Sequence, residues 1–167
     1  MALLGQPPQI VRKPLWGSRR ATGIITGVSG NASAHVRVLV VDDQDPYRRA
    51  MSVVVDSTDG FVVVGAVASG EESVAAAAEL EPDLVLMDIN LPGISGIEAA
   101  RQIREVPSAP VVVLLSTHDE DDFDLSGCGA AAYVSKSALS PARLRQVWSD
   151  QGAHQARAQA PERTPGT

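Results

Sequence analysis

Between residues 36 and 149, short apolar runs alternate with stretches whose apolar positions recur at helical spacing. The runs fall at 36–41, 61–65, 84–87, 110–115 and 131–134. Near-continuous apolar segments of this length suit parallel strands buried on both faces. Helical patterns follow at 47–56, 71–80, 96–105, 120–126 and 142–149. The third places Ile97, Ala100 and Ile103 on one face. The fourth is acidic, with only Phe123 and Leu125 apolar. The fifth opens with Ser140 as N-cap and Pro141 at the first helical position, and presents Leu144, Val147 and Trp148 together.

Strict alternation of strand and helix predicts an α/β fold, a parallel sheet with helices on both faces. Right-handed crossovers then favour a flavodoxin-like, doubly wound five-stranded sheet of order 2-1-3-4-5. In that topology a ligand site lies past the C-terminal ends of strands 1 and 3, where the winding reverses.

Composition divides the 167-residue chain into three parts. Residues 1–35 carry Pro7, Pro8 and Pro14, five glycines and no sustained periodicity, and read as a flexible N-terminal arm. Residues 36–149 are the folded domain, and 150–167, rich in Gln, Ala and Pro, read as a disordered tail. The arm holds Arg12, Lys13, Arg19 and Arg20 and no acid, whereas 36–149 hold 18 acids against 8 bases, a net −10. An acidic domain repels nucleic acid and argues against its direct binding, while concentrated acids can hold a divalent cation. Cys128 stands alone, so no internal disulfide is possible, which fits the reducing cytoplasm. No apolar run approaches the roughly 20 residues of a membrane-spanning helix. Ser18-Arg19-Arg20 with Ala32-Ser33-Ala34 resembles a twin-arginine export signal. Gly23, Gly27 and Gly30 interrupt the segment between them, which favours a dispensable extension or a start site set too early.

The strand ends carry the chemistry. Strand 1 ends in Asp42-Asp43 and strand 3 in Asp88. Two like charges about 4 Å apart repel by about 4 kcal/mol at an effective dielectric near 20. Converging carboxylates therefore raise a pKa or bind a cation. An all-oxygen set without His or Cys points to Mg²⁺. Strand 4 ends in Ser116-Thr117 and strand 5 in Ser135-Lys136, so a hydroxyl and an ammonium reach the same rim. A carboxylate nucleophile, a metal and a cationic clamp are the parts of phosphoryl transfer to Asp88.

Four segments, VRVLVVDDQ, LVLMDINLPGISGIEA, VVVLLST and AAYVSK, occur in an order that resembles the receiver domain of two-component response regulators. The likeness covers about residues 36–149 and is nearest to the branch usually joined to helix-turn-helix outputs. It implies a phosphorelay protein that accepts a phosphoryl group on Asp88 from a sensor histidine kinase or a small phosphodonor. Asp43 is implied to bind Mg²⁺ directly and Asp42 through water, with Asp88 and the Asn90 backbone carbonyl completing the protein ligands. Lys136 is implied to pair with Asp88 before phosphorylation and with the phosphoryl group afterwards. Ser116 and Tyr133 are implied to be switch residues, and Thr117 to control access to the acyl phosphate. No recognisable effector domain follows residue 149, so output is expected through an effector protein in trans, a phosphorylation-dependent homodimer or a domain that has been lost.

Two departures stand out. Ser137 replaces the proline that often follows the lysine, and residues 119–124 are very acidic near the face that changes on activation. Three other readings compete. Asp43-Gln44-Asp45 fits the Asp-x-Asp of haloacid-dehalogenase-like phosphatases, but Pro46-Tyr47 does not continue that pattern. Gly127-Cys128-Gly129 fits a dinucleotide fingerprint, yet it precedes a strand rather than opening a helix. A pseudo-receiver acting as a docking scaffold would lack phosphorylation altogether.

Overall fold

The five apolar runs form one parallel sheet in a computed structural model that describes residues 35–106, 108–118 and 127–158. The strands are β1 (Val36–Val41), β2 (Phe61–Val67), β3 (Leu84–Asp88), β4 (Val111–Ser116) and β5 (Ala132–Ser135). Their order is β2-β1-β3-β4-β5, the doubly wound arrangement expected. The described helices are α1 (Asp45–Asp56), α2 (Gly70–Leu80), α3 (Gly96–Ile103) and α4 (Pro141–Ala158), with a 3₁₀ turn at Lys136–Ala138. The expected helix at 120–126, the acidic run 119–124, residues 1–34 of the arm and residues 159–167 of the tail lie outside the described residues.

Side chains alternate across the sheet and build a core on each face. Leu39, Val41, Val85, Met87, Val112 and Leu114 pack with Ala77 of α2 and with Ala99, Ala100 and Ile103 of α3. Val38, Val40, Leu84, Leu86, Val113 and Leu115 pack with Met51 and Val55 of α1 and Leu144 and Val147 of α4. The Trp148 ring meets Phe61 edge-on at 6.4 Å, joining α4 to β2. Burial on both sides explains why these strands read as continuous apolar runs.

Element ends differ from the sequence reading for local reasons. Pro46 fits the first turn of a helix, so α1 starts at Asp45 rather than 47. β2 runs on to Val67 through Gly65, past a register shift opposite Val38/Leu39. A Cβ on Gly65 would lie 2.6 Å from Leu80 Cδ1, so glycine makes room for Leu80 and Leu39. The tail needs correction: residues 150–158, expected to be disordered, continue α4 to Ala158. Ala, Gln and Arg favour helix there, and Gln151 Nε2 donates to the Ala131 carbonyl at 3.2 Å, tying the extension to the sheet.

Leu86 is fully buried in β3, whereas Val53 of α1 is 64% exposed. Leu86→Ala is expected to cost about 2–5 kcal/mol, read from the urea midpoint, and Val53→Ala to stay within about 0.5 kcal/mol.

Candidate functional site

Strand register assembles the site. Val41 pairs with Met87, so Asp42 and Asp88 follow side by side at the C-terminal edge. Asp88 pairs with Leu115, so Ser116 comes next on β4. Ser116 pairs with Ser135, and Lys136 follows on the fifth segment. Parallel pairing thus converts four separate sequence positions into one rim.

Carboxylate oxygens of Asp42, Asp43 and Asp88 lie within 4.8 Å of one another. Asp42 and Asp88 are buried and Asp43 is exposed. Lys136 Nζ sits 2.7 Å from Asp42 Oδ2 and 3.2 Å from Asp88 Oδ1. The ammonium therefore lies closer to Asp42 than to Asp88, the partner that sequence resemblance implies. Burial raises the Asp88 carboxyl above its ordinary value of 3.8; Lys136 and the Asn90 N–H oppose this, and the charge of Asp42 adds to it. Burial alone would lower the Lys136 ammonium, but its close contact with Asp42 and the charges of Asp88 and Asp42 outweigh it, and its pKa is raised.

The loops holding these groups are fixed by named contacts. Asp42 Oδ1 accepts from the Gln44 N–H at 2.9 Å, and Arg48 Nη1 donates to the Asp42 carbonyl at 2.5 Å. Arg48 also pairs with Asp45 at the start of α1. Beyond Asp88, the Gly96 N–H donates to Ile89 O at 2.9 Å. A Cβ at Gly96 would fall 2.0 Å from the Asp88 carbonyl oxygen, so only glycine lets α3 approach the strand so closely. Gly93, at φ +76°, turns the chain so that the Ile94 N–H donates to Glu71 Oε1 at 3.0 Å. That bond docks the β3–α3 loop on the N-terminus of α2.

Ser116 is fully buried, and its Oγ accepts from the His118 N–H at 3.0 Å. Tyr133, half-buried, donates its hydroxyl to the His118 carbonyl. Thr117 Oγ1 lies 3.4 Å from His118 Nδ1. A cavity of about 190 Å³ opens beside the ammonium, lined by Tyr47, Thr117, Ser135, Lys136 and Ser137. All the candidate side chains thus stand at this edge, while Tyr47 is a lining residue that the sequence reading passed over.

The pocket suits a divalent cation. Three carboxylates against one ammonium leave a formal charge of −2. Every donor is a hard oxygen, as Mg²⁺ requires. Asp42 Oδ2 is buried with no well-directed hydrogen bond, despite the nearby ammonium, and so retains a lone pair for a cation or its water.

A doubly wound sheet bearing an acid cluster and a lysine at its C-terminal edge defines a receiver-type signalling domain. The chain belongs to the response regulator receiver domain family, whose model matches residues 38–148. It is 45% identical over 105 residues to response regulator GacA of Pseudomonas viridiflava, covering 62% of this chain and 49% of that protein. It is 36% identical over 106 residues to transcriptional regulatory protein YdfI of Bacillus subtilis, again covering 62% of this chain and 49% of the relative. The chain thus spans about half the length of the curated relatives it matches. Among solved structures, a LuxR-family two-component response regulator from Aurantimonas sp. SI85-9A1 superposes with a TM-score of 0.64. It is 33% identical, with 72% of this chain and 86% of that one covered. The response regulator domain of Thermotoga maritima CheB superposes with a TM-score of 0.61 at 29% identity, covering 69% and 95%.

The competing motifs find no support in this geometry. Asp45, the second acid of the phosphatase-like pattern, is engaged with Arg48. Gly127-Cys128-Gly129 leads into β5 and opens no helix, and Cys128 is buried in the core. Among the described residues no helix is long and apolar enough to cross a membrane. No cis peptide bond occurs among them, including the bond after Lys136.

Asp88 carries a stability cost that follows from its raised pKa. A folded pKa above the unfolded value means the folded state holds the proton more tightly. The penalty is complete above the folded pKa and disappears as pH falls through it towards 3.8. Asp88→Asn removes the penalty while Asp42 still pairs with Lys136. The variant is expected to be more stable by about 1 kcal/mol near neutral pH without divalent cations. Urea titrations across pH should show that advantage shrinking in acid; an advantage independent of pH would refute the electrostatic cause.

Proposed function

We propose that this chain is the phosphoacceptor module of a two-component relay, with Asp88 as the acceptor. The observation that carries the reading is the joint placement of the Asp42, Asp43 and Asp88 carboxylates around the Lys136 ammonium. An Asp88 oxygen attacks the phosphorus of a phosphohistidine or an acyl phosphate. The bond from phosphorus to the donor breaks, and the leaving group departs with the electron pair. The product is an acyl phosphate on Asp88.

Asp43 directly, Asp42 through water, Asp88 and the Asn90 carbonyl would hold Mg²⁺. When bound, the ion supplies charge neutralisation between acceptor and phosphoryl oxygens. Lys136 and Ser116 bind the remaining phosphoryl oxygens, and Thr117 limits access to them. Phosphorylation adds about −1.5 to −2 charges. That charge draws Ser116 and Lys136 inward, and Tyr133 changes its burial as the strand ends move. The altered face then engages an effector protein or a second copy of this chain. The partners upstream are a sensor histidine kinase or a small phosphodonor, and the site of action is the cytoplasm. The module is not itself a turnover enzyme; it assists its own phosphorylation and dephosphorylation.

Incubation with acetyl phosphate and Mg²⁺, followed by intact-mass measurement, tests the reading. One phosphoryl adduct is expected, lost in Asp88→Asn and prevented by chelation. Lys136→Met should slow its formation by on the order of tenfold to a hundredfold. An adduct that persists in Asp88→Asn would place the acceptor elsewhere, and no adduct in the native chain would favour a docking scaffold.

A further inference from the structure

Lys136 is almost wholly buried between its neighbours. Its side chain keeps 7% of its accessible surface although it stands beside an open cavity. An aromatic face also covers it: Nζ lies 4.4 Å from the centroid of the Tyr47 ring. The ammonium is thus held between Asp42 and Asp88 on one side and a π face on the other.

Tyr47 itself is 39% exposed and belongs to neither hydrophobic core, so packing does not explain its position. What fixes it is the first turn of α1. Pro46 restricts the backbone just before it, and Arg48, just after it, grips both Asp42 O and Asp45. The same arginine that sets the Asp42 loop therefore sets the ring. A cation over an aromatic face is attracted by the ring quadrupole, more strongly when water is excluded.

We propose that Tyr47 is a positioning residue for phosphoryl transfer, its ring face holding the Lys136 ammonium over the acid pocket. This rests on the phosphoacceptor reading above. The ring limits the directions open to the ammonium and keeps water from its outer side, so Lys136 is already aimed at the incoming phosphoryl oxygens. The contact uses the face of the ring and does not require the hydroxyl.

The test compares the full chain with Tyr47→Ala, Tyr47→Phe and Lys136→Met, alone and combined. Initial rates of adduct formation from acetyl phosphate and Mg²⁺ are read by intact mass. Tyr47→Ala is expected to be about three- to tenfold slower, and Tyr47→Phe to stay within about twofold of the native chain. In the Lys136→Met background, Tyr47→Ala should add no further loss. The ε-methylene protons of Lys136 give a readout independent of transfer. They should show an upfield ring-current shift in the native chain and in Tyr47→Phe, and lose it in Tyr47→Ala while circular dichroism stays native. Tyr47→Ala transferring as fast as the native chain or faster, or a loss that Tyr47→Phe fails to rescue, would overturn the role alone. An unshifted methylene signal in the native chain overturns the contact itself. A native chain that takes no phosphoryl group overturns the phosphoacceptor reading and this role together.

Discussion

Mutual repulsion of carboxylates at the C-terminal edge of the sheet is the constraint around which this molecule is arranged. Asp42 and Asp88 are buried side by side because Val41 and Met87 are paired, and no rotation of either side chain removes both charges from the edge. A fold that places acids there must compensate elsewhere. The compensation is partly local, through Lys136, and partly global, through two apolar cores that clamp the strands from either face. Each fully buried Leu or Val contributes about 1.5–3 kcal/mol relative to exposure, so a handful of such residues offsets the repulsion.

Rigidity of the loops follows from the same constraint. Crowded charges would relax by moving apart if the backbone allowed it. Arg48 grips the Asp42 carbonyl, the Gly96 N–H grips Ile89, and Glu71 grips the Ile94 N–H. These contacts bind each acidic loop to a helix that is itself anchored in a core. Gly96 serves this purpose because its missing Cβ permits an approach that the Asp88 carbonyl would otherwise block. Electrostatic cost and backbone restraint are therefore two aspects of one construction: a pocket of formal charge −2 whose carboxylates are kept from moving apart.

Much of this was legible in the sequence, for physical reasons. Strands buried on both faces leave unbroken apolar runs, so the five strands could be read directly, and their order followed from right-handed crossovers. The acids at residues 42, 43 and 88 stood out because each follows such a run. Features that depend on three-dimensional proximity were less visible. The preference of Lys136 for Asp42 over Asp88 depends on the path of the 3₁₀ turn after β5, which no periodicity encodes. Tyr47 read as one more helical position, because its contact with Lys136 joins residues 89 apart that share no pattern. The continuation of α4 past Ser149 was missed because Pro161 and Pro165 further along make the whole polar segment read as a tail. Attachment of Gln151 to Ala131 is a tertiary contact that composition cannot reveal.

His118 shows how a change at the pocket can leave it. Its N–H is held by Ser116 Oγ, and its carbonyl receives the Tyr133 hydroxyl. One residue's backbone thus links a fully buried hydroxyl to a half-buried ring on the neighbouring strand segment. Under the proposed function, Ser116 turning towards a phosphoryl oxygen must give up the His118 N–H. His118 then loses one restraint on its backbone, whose carbonyl accepts the Tyr133 hydroxyl. The energies are modest, about 0.5–1.5 kcal/mol for a typical hydrogen bond, but the two bonds meet on one residue, where such contacts couple rather than add. Under the proposed function, a charge arriving at Asp88 would in this way bear on which surface the Tyr133 ring occupies. Both bonds lie at the strand ends, outside the two cores, so a change there would leave the sheet itself in place.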